Sequence, residues 1–555
     1  MQSARARLTN TRRVLGAAFS TPDLRRLQLA WSATALAHWS YFVVVSVWAY
    51  DAGGATAVGL VGLTRLLPSA LAAPATSLLV DRHSRRQMLL AASLLRAGGR
   101  CAAAGAVALG APFGVVLVIL ALQQIASTAY KPAQAALLPV LAGTPHQMAA
   151  ANAVWAGIDN AGFCVGALLG GWLAATTSAS VGFAATSLPL LVAALLVARI
   201  TPDRVPAHRE VDAGAELRQE LTMGFRTIAR HPELRLVQTT LAATTLIEGI
   251  VDVLVVVTAI ELLGAGNAGV GYLNSAWGIG GLIGGACALA LLGRGRIASG
   301  LAIGATLAGL ALGSIAAEPT VIVALVALTV LGVGYSLVEV AGLTLMQRLA
   351  SDEVLGRVFG VFESAYAAAT AIGSALAPAL ISLLGIRGAI GVSGGALLVI
   401  VALRRGALAR LEAGVRIPER EFALLRDTPL FAPLPIAVVE NMAQRLEPVD
   451  VEPGDTVIRE GEEGDRFYLI AEGEFLVSQG EQALRTQHAP GFFGEIALLR
   501  AVPRTATVEA VTAGLLYALP SDDFIAGMTG NRRSARAAEV VIEDRLDHSS
   551  RVESV

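Results

Sequence analysis

Residues 28–50 read QLAWSATALAHWSYFVVVSVWAY, a run without a single Asp, Glu, Lys or Arg. A helix of this length rises about 35 Å, enough to cross a hydrocarbon core about 30 Å thick. Eleven more predominantly apolar runs of roughly that length follow, near 56–80, 87–109, 113–140, 149–174, 180–199, 236–262, 269–292, 297–316, 320–346, 357–384 and 387–403. Composition agrees: 54% of residues are hydrophobic, 15% are charged, and the mean hydropathy is +0.62. Ordinary soluble domains carry about 25% charged residues. The twelve spans predict an all-α transmembrane bundle in the lipid bilayer.

Arginine placement predicts the orientation. Arg82, Arg85 and Arg86 follow span 2, Arg199 to Arg235 punctuate the long central loop, and Arg294 and Arg296 follow span 8. Arg348 and Arg357 lie between spans 10 and 11, and Arg404 and Arg405 follow span 12. The loops on the other side are short and nearly free of basic residues, with Arg387 the exception. By the positive-inside rule both termini face the cytosol, making this a multi-pass protein of the cell membrane. The basic N-terminus lacks a short apolar core with a cleavage site and reads as a cytosolic arm, 1–26. Six spans (27–200), a charged loop (201–235) and six more (236–405) form two halves. A polar turn followed by a small-residue helix recurs at Leu141–Gly171 and Leu349–Ala379, as in transporters built from two related halves.

Beyond Arg405 the composition changes. Residues 406–433 read as a mixed helical linker ending in a Pro-rich turn. From Val449 short β-rich runs (DTVIREG, DRFYLIAEG, EFLVSQG, ATVEAV, LLYALP) alternate with glycine turns. This predicts a small antiparallel β-roll or jelly roll, with a return to helix over Ser521–Asp547. The soluble domain is placed at 434–548.

Within it, Pro490–Val508 reads PGFFGEIALLRAVPRTATV. Gly494 lets the backbone approach an anion as a short helix begins, and unpaired N–H groups at a helix start favour phosphate. Arg504 supplies a fixed charge and a bidentate fork for phosphate oxygens. Glu495 supplies two acceptors for ribose hydroxyls, and Thr505 adds a hydroxyl. These residues closely resemble the phosphate-binding cassette of the cyclic nucleotide-binding domain family, over about 430–545. The resemblance implies that Glu495 holds the ribose 2′-OH and Arg504 the cyclic phosphate. It assigns turn contacts to Phe493, Gly494, Ile496 and Ala497, and a phosphate or guanine contact to Thr505. The implied regulatory ligand is cAMP or cGMP, with cAMP preferred; Thr505 suits either.

Two membrane motifs carry a second resemblance. Ser77–Leu89, SLLVDRHSRRQML, is similar to the loop after span 2 in the major facilitator superfamily, with serines at two glycine positions. The match assigns a conformational latch to Asp81, Arg82, Arg85 and Arg86, with Asp81 facing the start of span 11 near Gly356 and Arg357. Span 5 contains Gly162, Gly166, Gly170 and Gly171, similar to the antiporter motif of exporters in that superfamily, with Ala167 in place of proline. Glycines four apart also permit close helix packing on their own. The expected fold is therefore multi-domain: a twelve-helix transmembrane major facilitator fold joined to a cytosolic cyclic nucleotide-binding domain with flanking helices.

Ionisable groups inside spans are costly and therefore candidates for function. The first half holds Arg65, Arg96, Arg100 and Asp159, and the second holds Glu248, Asp252, Glu339 and Glu363. Glu248 and Asp252 are four apart and share a helix face; paired acids can hold a proton near neutrality, making protons a candidate coupling ion. No Ser/His/Asp constellation, P-loop or metal-ligand cluster is visible, and Cys101, Cys164 and Cys287 are unpaired in spacing. An enzyme, a metal, a cofactor and a nucleic-acid partner are not expected. The expected function is efflux of a small molecule or drug by a secondary transporter regulated by cyclic nucleotide. The rival is a membrane-tethered nucleotide sensor without transport.

Overall fold

The computed structural model describes residues 16–529, apart from 17, 143, 202–224, 293–296, 351, 416–418, 432, 433, 435 and 481. Within the helices some further side chains, those of Asp81 and Arg82 among them, lie outside the described residues. So do most of the N-terminal arm, much of the central loop, and the terminal helix beyond Thr529. The chain forms two compact units, Met1–Gly414 and Val415–Val555.

In the first unit every described element is helical: α1 (Pro22–Arg82), α2 (Arg85–Ala108), α3 (Phe113–Ser127), α4 (Tyr130–Leu141), α5 (Pro145–Thr176), α6 (Ala179–Ala185) and α7 (Leu188–Ala198). Then come α8 (Pro232–Val257) with a terminal π-turn (Thr258–Leu262), α9 (Gly266–Leu292), α10 (Ile297–Ala317), α11 (Val321–Leu349) and α12 (Asp352–Val415). All twelve expected spans fall on these helices. Spans 1 and 2 both fall within α1 as two helices parted where Gly53 and Gly54 leave helical geometry (Gly54 φ 60, ψ −153); spans 11 and 12 both fall within α12, parted in the same way at Gly385 (φ 69). Spans 4 and 6 are each interrupted once, giving α3–α4 and α6–α7.

Among the described residues, eight helical stretches are long and apolar enough to cross a membrane, by length and composition. Two of them, 22–68 and 357–412, each hold two expected spans or parts of them. The arginine-bearing α2 and the glycine-rich α9 are not among the eight. In α2 the charges are absorbed within the half: Arg100 Nη1 donates to Ala37 O (2.9 Å) and Thr186 O (2.6 Å), over the Tyr41 ring at 4.3 Å.

Helix ends follow local chemistry. Thr21, Ser84, Thr144, Ser178 and Thr320 each accept a backbone N–H three residues ahead, and prolines open α1, α5 and α8. Arginines close other helices by donating to terminal carbonyls, which also suits the helix dipole. Arg86 reaches Val197 O (3.3 Å) and Ala198 O (2.5 Å) at the end of α7. Arg387, the exception to the charge pattern, donates to Ala316 O and Ala317 O at the end of α10, both at 2.9 Å.

The second unit begins with α13 (Glu419–Asp427) and α14 (Ile436–Gln444) and ends with α16 (Ser521–Thr529). Between them lie β1 (Glu447–Val451), β2 (Thr456–Ile458), β3 (Arg466–Glu472), β4 (Glu474–Gln479), β5 (Gln482–His488), β6 (Phe492–Phe493), α15 (Glu495–Arg500), β7 (Thr507–Ala510) and β8 (Gly514–Pro520). They form two antiparallel four-stranded sheets, β1-β8-β3-β6 and β2-β7-β4-β5, the expected β-roll. Ile470, Phe475, Phe493, Val508 and Leu516 form one core cluster. Phe467, Phe431 and Phe524 form another, beneath the helices.

Candidate functional site

The expected cassette folds into an open cleft. Phe493, Gly494, Glu495, Ile496, Ala497, Arg504 and Thr505, all picked from the sequence, line it together. Gly494 caps α15 at φ 92, and Ala501 closes the helix at φ 51. A Cβ on Gly494 would stand 2.8 Å from Arg504 Nη1, so the backbone and the guanidinium need a residue without one. The first N–H groups of α15 have no intrahelical acceptor, as at any helix start.

Arg504 is fixed from both ends. Its N–H donates to Glu462 O and its O accepts from Gly461 N–H, both at 2.8 Å, tying it to the turn between β2 and β3. Its side chain is only 5% exposed, with Nη1 donating to Gly494 O (3.0 Å) and Nη2 to Arg466 O (2.7 Å). Asp465 Oδ1 lies 3.6 Å from Nη2 on a carboxylate that is itself 74% exposed. Burial pulls the Arg504 pKa below its usual range, while Tyr468, Asp465, Glu495 and Glu462 oppose that shift. A guanidinium has five N–H donors, and two go to carbonyls, leaving capacity for an anion. Glu495 is 1% exposed, and Thr505 is exposed at the rim.

Arg485 also lines the cleft, and sequence reading missed it. It is paired across the sheet with Val477, another lining residue. With its amide correctly oriented, Gln487 accepts from Arg485 at 3.0 and 3.1 Å and donates to Phe492 O at 2.7 Å. Nothing in the local sequence marks Arg485, because its role depends on strand pairing.

In the membrane unit the ionisable groups gather where the halves meet. Arg65 lies over the Phe42 ring at 4.7 Å and within electrostatic reach of Asp252. Tyr366 OH donates to Glu248 Oε1 at 3.4 Å, and Glu248 senses both Asp252 and Glu339. Glu339 is exposed and lies in the field of Lys131, Asp159 and Glu363. Lys131, the chain's sole lysine, was missed as a site residue; a lone lysine beside an apolar run was its signal. Rings bridge the halves nearby: Trp39 with Phe163 (4.2 Å), Phe163 with Trp277 (6.0 Å) and Trp277 with Tyr335 (5.7 Å).

The glycines of span 5 serve two partners. A Cβ on Gly162, Gly166 or Gly170 would run into Ala35, Trp39 or Ser40 of α1. On Gly171 it would stand 2.7 Å from Gly271 Cα, across the seam between the halves. Ser275 Oγ donates to Cys164 O (2.9 Å), and Tyr50 OH donates to Glu261. Arg85 is partly buried; the meeting of Asp81 with the start of span 11 lies outside the described residues.

This arrangement defines a class: a membrane transporter bundle carrying a cyclic nucleotide-binding domain. Residues 29–367 match the family model described as Major Facilitator Superfamily, and residues 448–531 that of the cyclic nucleotide-binding domain. The first match covers more than half of the chain, which belongs to the Major Facilitator Superfamily.

Among curated proteins, the cAMP-dependent protein kinase type II regulatory subunit of Drosophila melanogaster is 43% identical over 88 residues, 15% of this chain and 23% of that protein. A putative potassium channel protein of Rhodopseudomonas palustris is 32% identical over 163 residues, 28% of this chain and 39% of that protein. The mouse potassium/sodium hyperpolarization-activated cyclic nucleotide-gated channel 2 is 35% identical over 133 residues, 24% of this chain and 15% of that protein. The chain thus spans well under half the length of these relatives. Among solved structures, the regulatory domain of Toxoplasma gondii PKA with cAMP is 32% identical with a TM-score of 0.19, covering 20% of this chain and 43% of that one.

Proposed function

We propose that this protein is a secondary transporter, exporting a small molecule or drug, whose cycle is set by a cyclic nucleotide bound at Arg504 and Glu495. The observation that carries the reading is the buried Arg504 guanidinium in an open cleft, backed by Glu495 and the start of α15. A buried cation is expensive unless an anion compensates it. The preferred ligand is cAMP, supported by the 43% identity to a cAMP-dependent kinase regulatory subunit. A second reading, cGMP, is favoured by Arg485, because a guanidinium pairs bidentately with the O6 and N7 acceptors of guanine.

The arginine distribution supports placing both termini and the nucleotide domain in the cytosol. The charged cluster at the seam is the transport site, with Glu248 and Asp252 carrying the coupling proton; Asp81, Arg82 and Arg85 form the latch. Both domain families favour a carrier over an enzyme. The decisive experiment reconstitutes the full chain in liposomes and measures transport of a panel of drugs and metabolites, with and without cAMP or cGMP. Transport that changes with nucleotide in the wild type and not in Arg504→Ala supports the reading. Nucleotide-independent transport removes the regulation, and nucleotide binding without transport of any probe favours the tethered sensor. Glu248→Gln and Asp252→Gln should each abolish transport driven by a proton gradient; unchanged transport in both removes proton coupling.

A further inference from the structure

We infer that the nucleotide signal enters the transporter through the extension of its last helix, seated on the second half by Arg404 and Glu412. This rests on the nucleotide-regulated reading above. α12 does not stop where the apolar run ends near Leu403 but continues to Val415. Only residues 416–418 separate it from α13, the first helix of the nucleotide unit. Three residues span at most about 10 Å, so the two helices are joined by a short stretch of chain.

One face of the extension is packed and pinned. Leu408 and Leu411 are 4% and 5% exposed. Arg404 Nη1 contacts the first turns of α8, at Leu236 O (3.2 Å), Thr239 Oγ1 (2.8 Å) and Thr240 Oγ1 (2.6 Å). Glu412 Oε2 accepts the N–H of Ser299 in the first turn of α10 at 2.6 Å. A carboxylate belongs at a helix N-terminus, where the macrodipole favours it. Its other oxygen, Oε1, is buried without a hydrogen-bond partner among the described residues, and such a group loses its hydration uncompensated.

The geometry gives the signal a destination. α8 runs as unbroken helix from Pro232 to Val257, so a push at Thr240 travels rigidly to Glu248 and Asp252, two to three turns on. The extension thus biases the half that carries the acids, without a separate regulatory surface.

The test uses hydrogen–deuterium exchange on the full chain in nanodiscs, with and without saturating cAMP or cGMP, alongside calorimetric binding. In the wild type, nucleotide should change exchange at 236–240 and 297–301 by about threefold or more. Glu412→Ala and Arg404→Ala should bind nucleotide as the wild type does and lose that change, each at its own helix. Retained binding reports that the nucleotide domain is folded, and unchanged exchange across α5 reports the same for the bundle. A response surviving in the double variant overturns the inference. So does a wild type that binds nucleotide with no change at either helix start. A wild type that binds neither nucleotide overturns the regulated reading itself, and this inference with it.

Discussion

Replacing Arg504 with alanine separates a nucleotide receptor from a β-roll that keeps only the shape. In the structure the guanidinium is 5% exposed, gives two N–H groups to Gly494 O and Arg466 O, and has one carboxylate, Asp465, 3.6 Å away. A cyclic phosphate would complete it as a partly desolvated charge pair. Truncating one partner of such a pair costs about 2–5 kcal/mol, or about 30- to 4,000-fold in Kd. Arg504→Lys keeps the charge and loses the fork, and should fall between the two. Calorimetric titration of the full-length protein with each nucleotide measures this directly. Thermal unfolding supplies the control. At 100-fold excess over Kd, bound ligand stabilises the wild type by about 2.7 kcal/mol. The alanine variant should lack that gain while its ligand-free midpoint stays close to that of the wild type, since it has shed a buried cation. An alanine variant that binds within threefold of the wild type refutes the assignment of phosphate to Arg504.

Three other outcomes follow from the same geometry. Gly494→Ala puts a methyl group at φ 92 and 2.8 Å from Arg504 Nη1; a cost of about 1–2 kcal/mol for the left-handed backbone, with at least tenfold weaker binding, should appear in unfolding and titration curves. Arg485→Ala should weaken cGMP by about 5- to 150-fold, the worth of one bidentate base contact, and cAMP by much less; equal losses would assign Arg485 to packing. Gly171→Val should wedge the seam at Gly271, lengthening the distance between spin labels at Thr176 and Ala265 in pulsed resonance while leaving nucleotide affinity unchanged; an unaltered distance would show that the seam can absorb the side chain.

Much of the architecture was legible because its signals are local. Bilayer-length apolar runs require no knowledge of neighbours, and neither does the spacing of Gly494, Glu495 and Arg504 around a short helix. The breaks at Gly53, Gly54 and Gly385 were legible too: helical geometry is interrupted there, between the apolar runs read as separate spans. What holds the helix beyond Leu403 was not legible: hydropathy falls there, while Arg404, Leu408, Leu411 and Glu412 hold the helix through contacts with other segments. Amphipathic packing, not apolar length, carries those last turns.

The sequence by itself determined a bundle of apolar helices followed by a β-roll whose cleft is lined by the residues around Gly494 and Arg504, because hydropathy and turn chemistry act over a few residues. Tertiary structure alone decided what the charges do. It assigned Arg100 and Arg387 to helix carbonyls, brought Lys131 into the field of Glu339, and set Arg485 beside Val477 in the cleft. Charge–charge and hydrogen-bond energies depend on distances between segments far apart in the chain, and only the folded packing sets those distances.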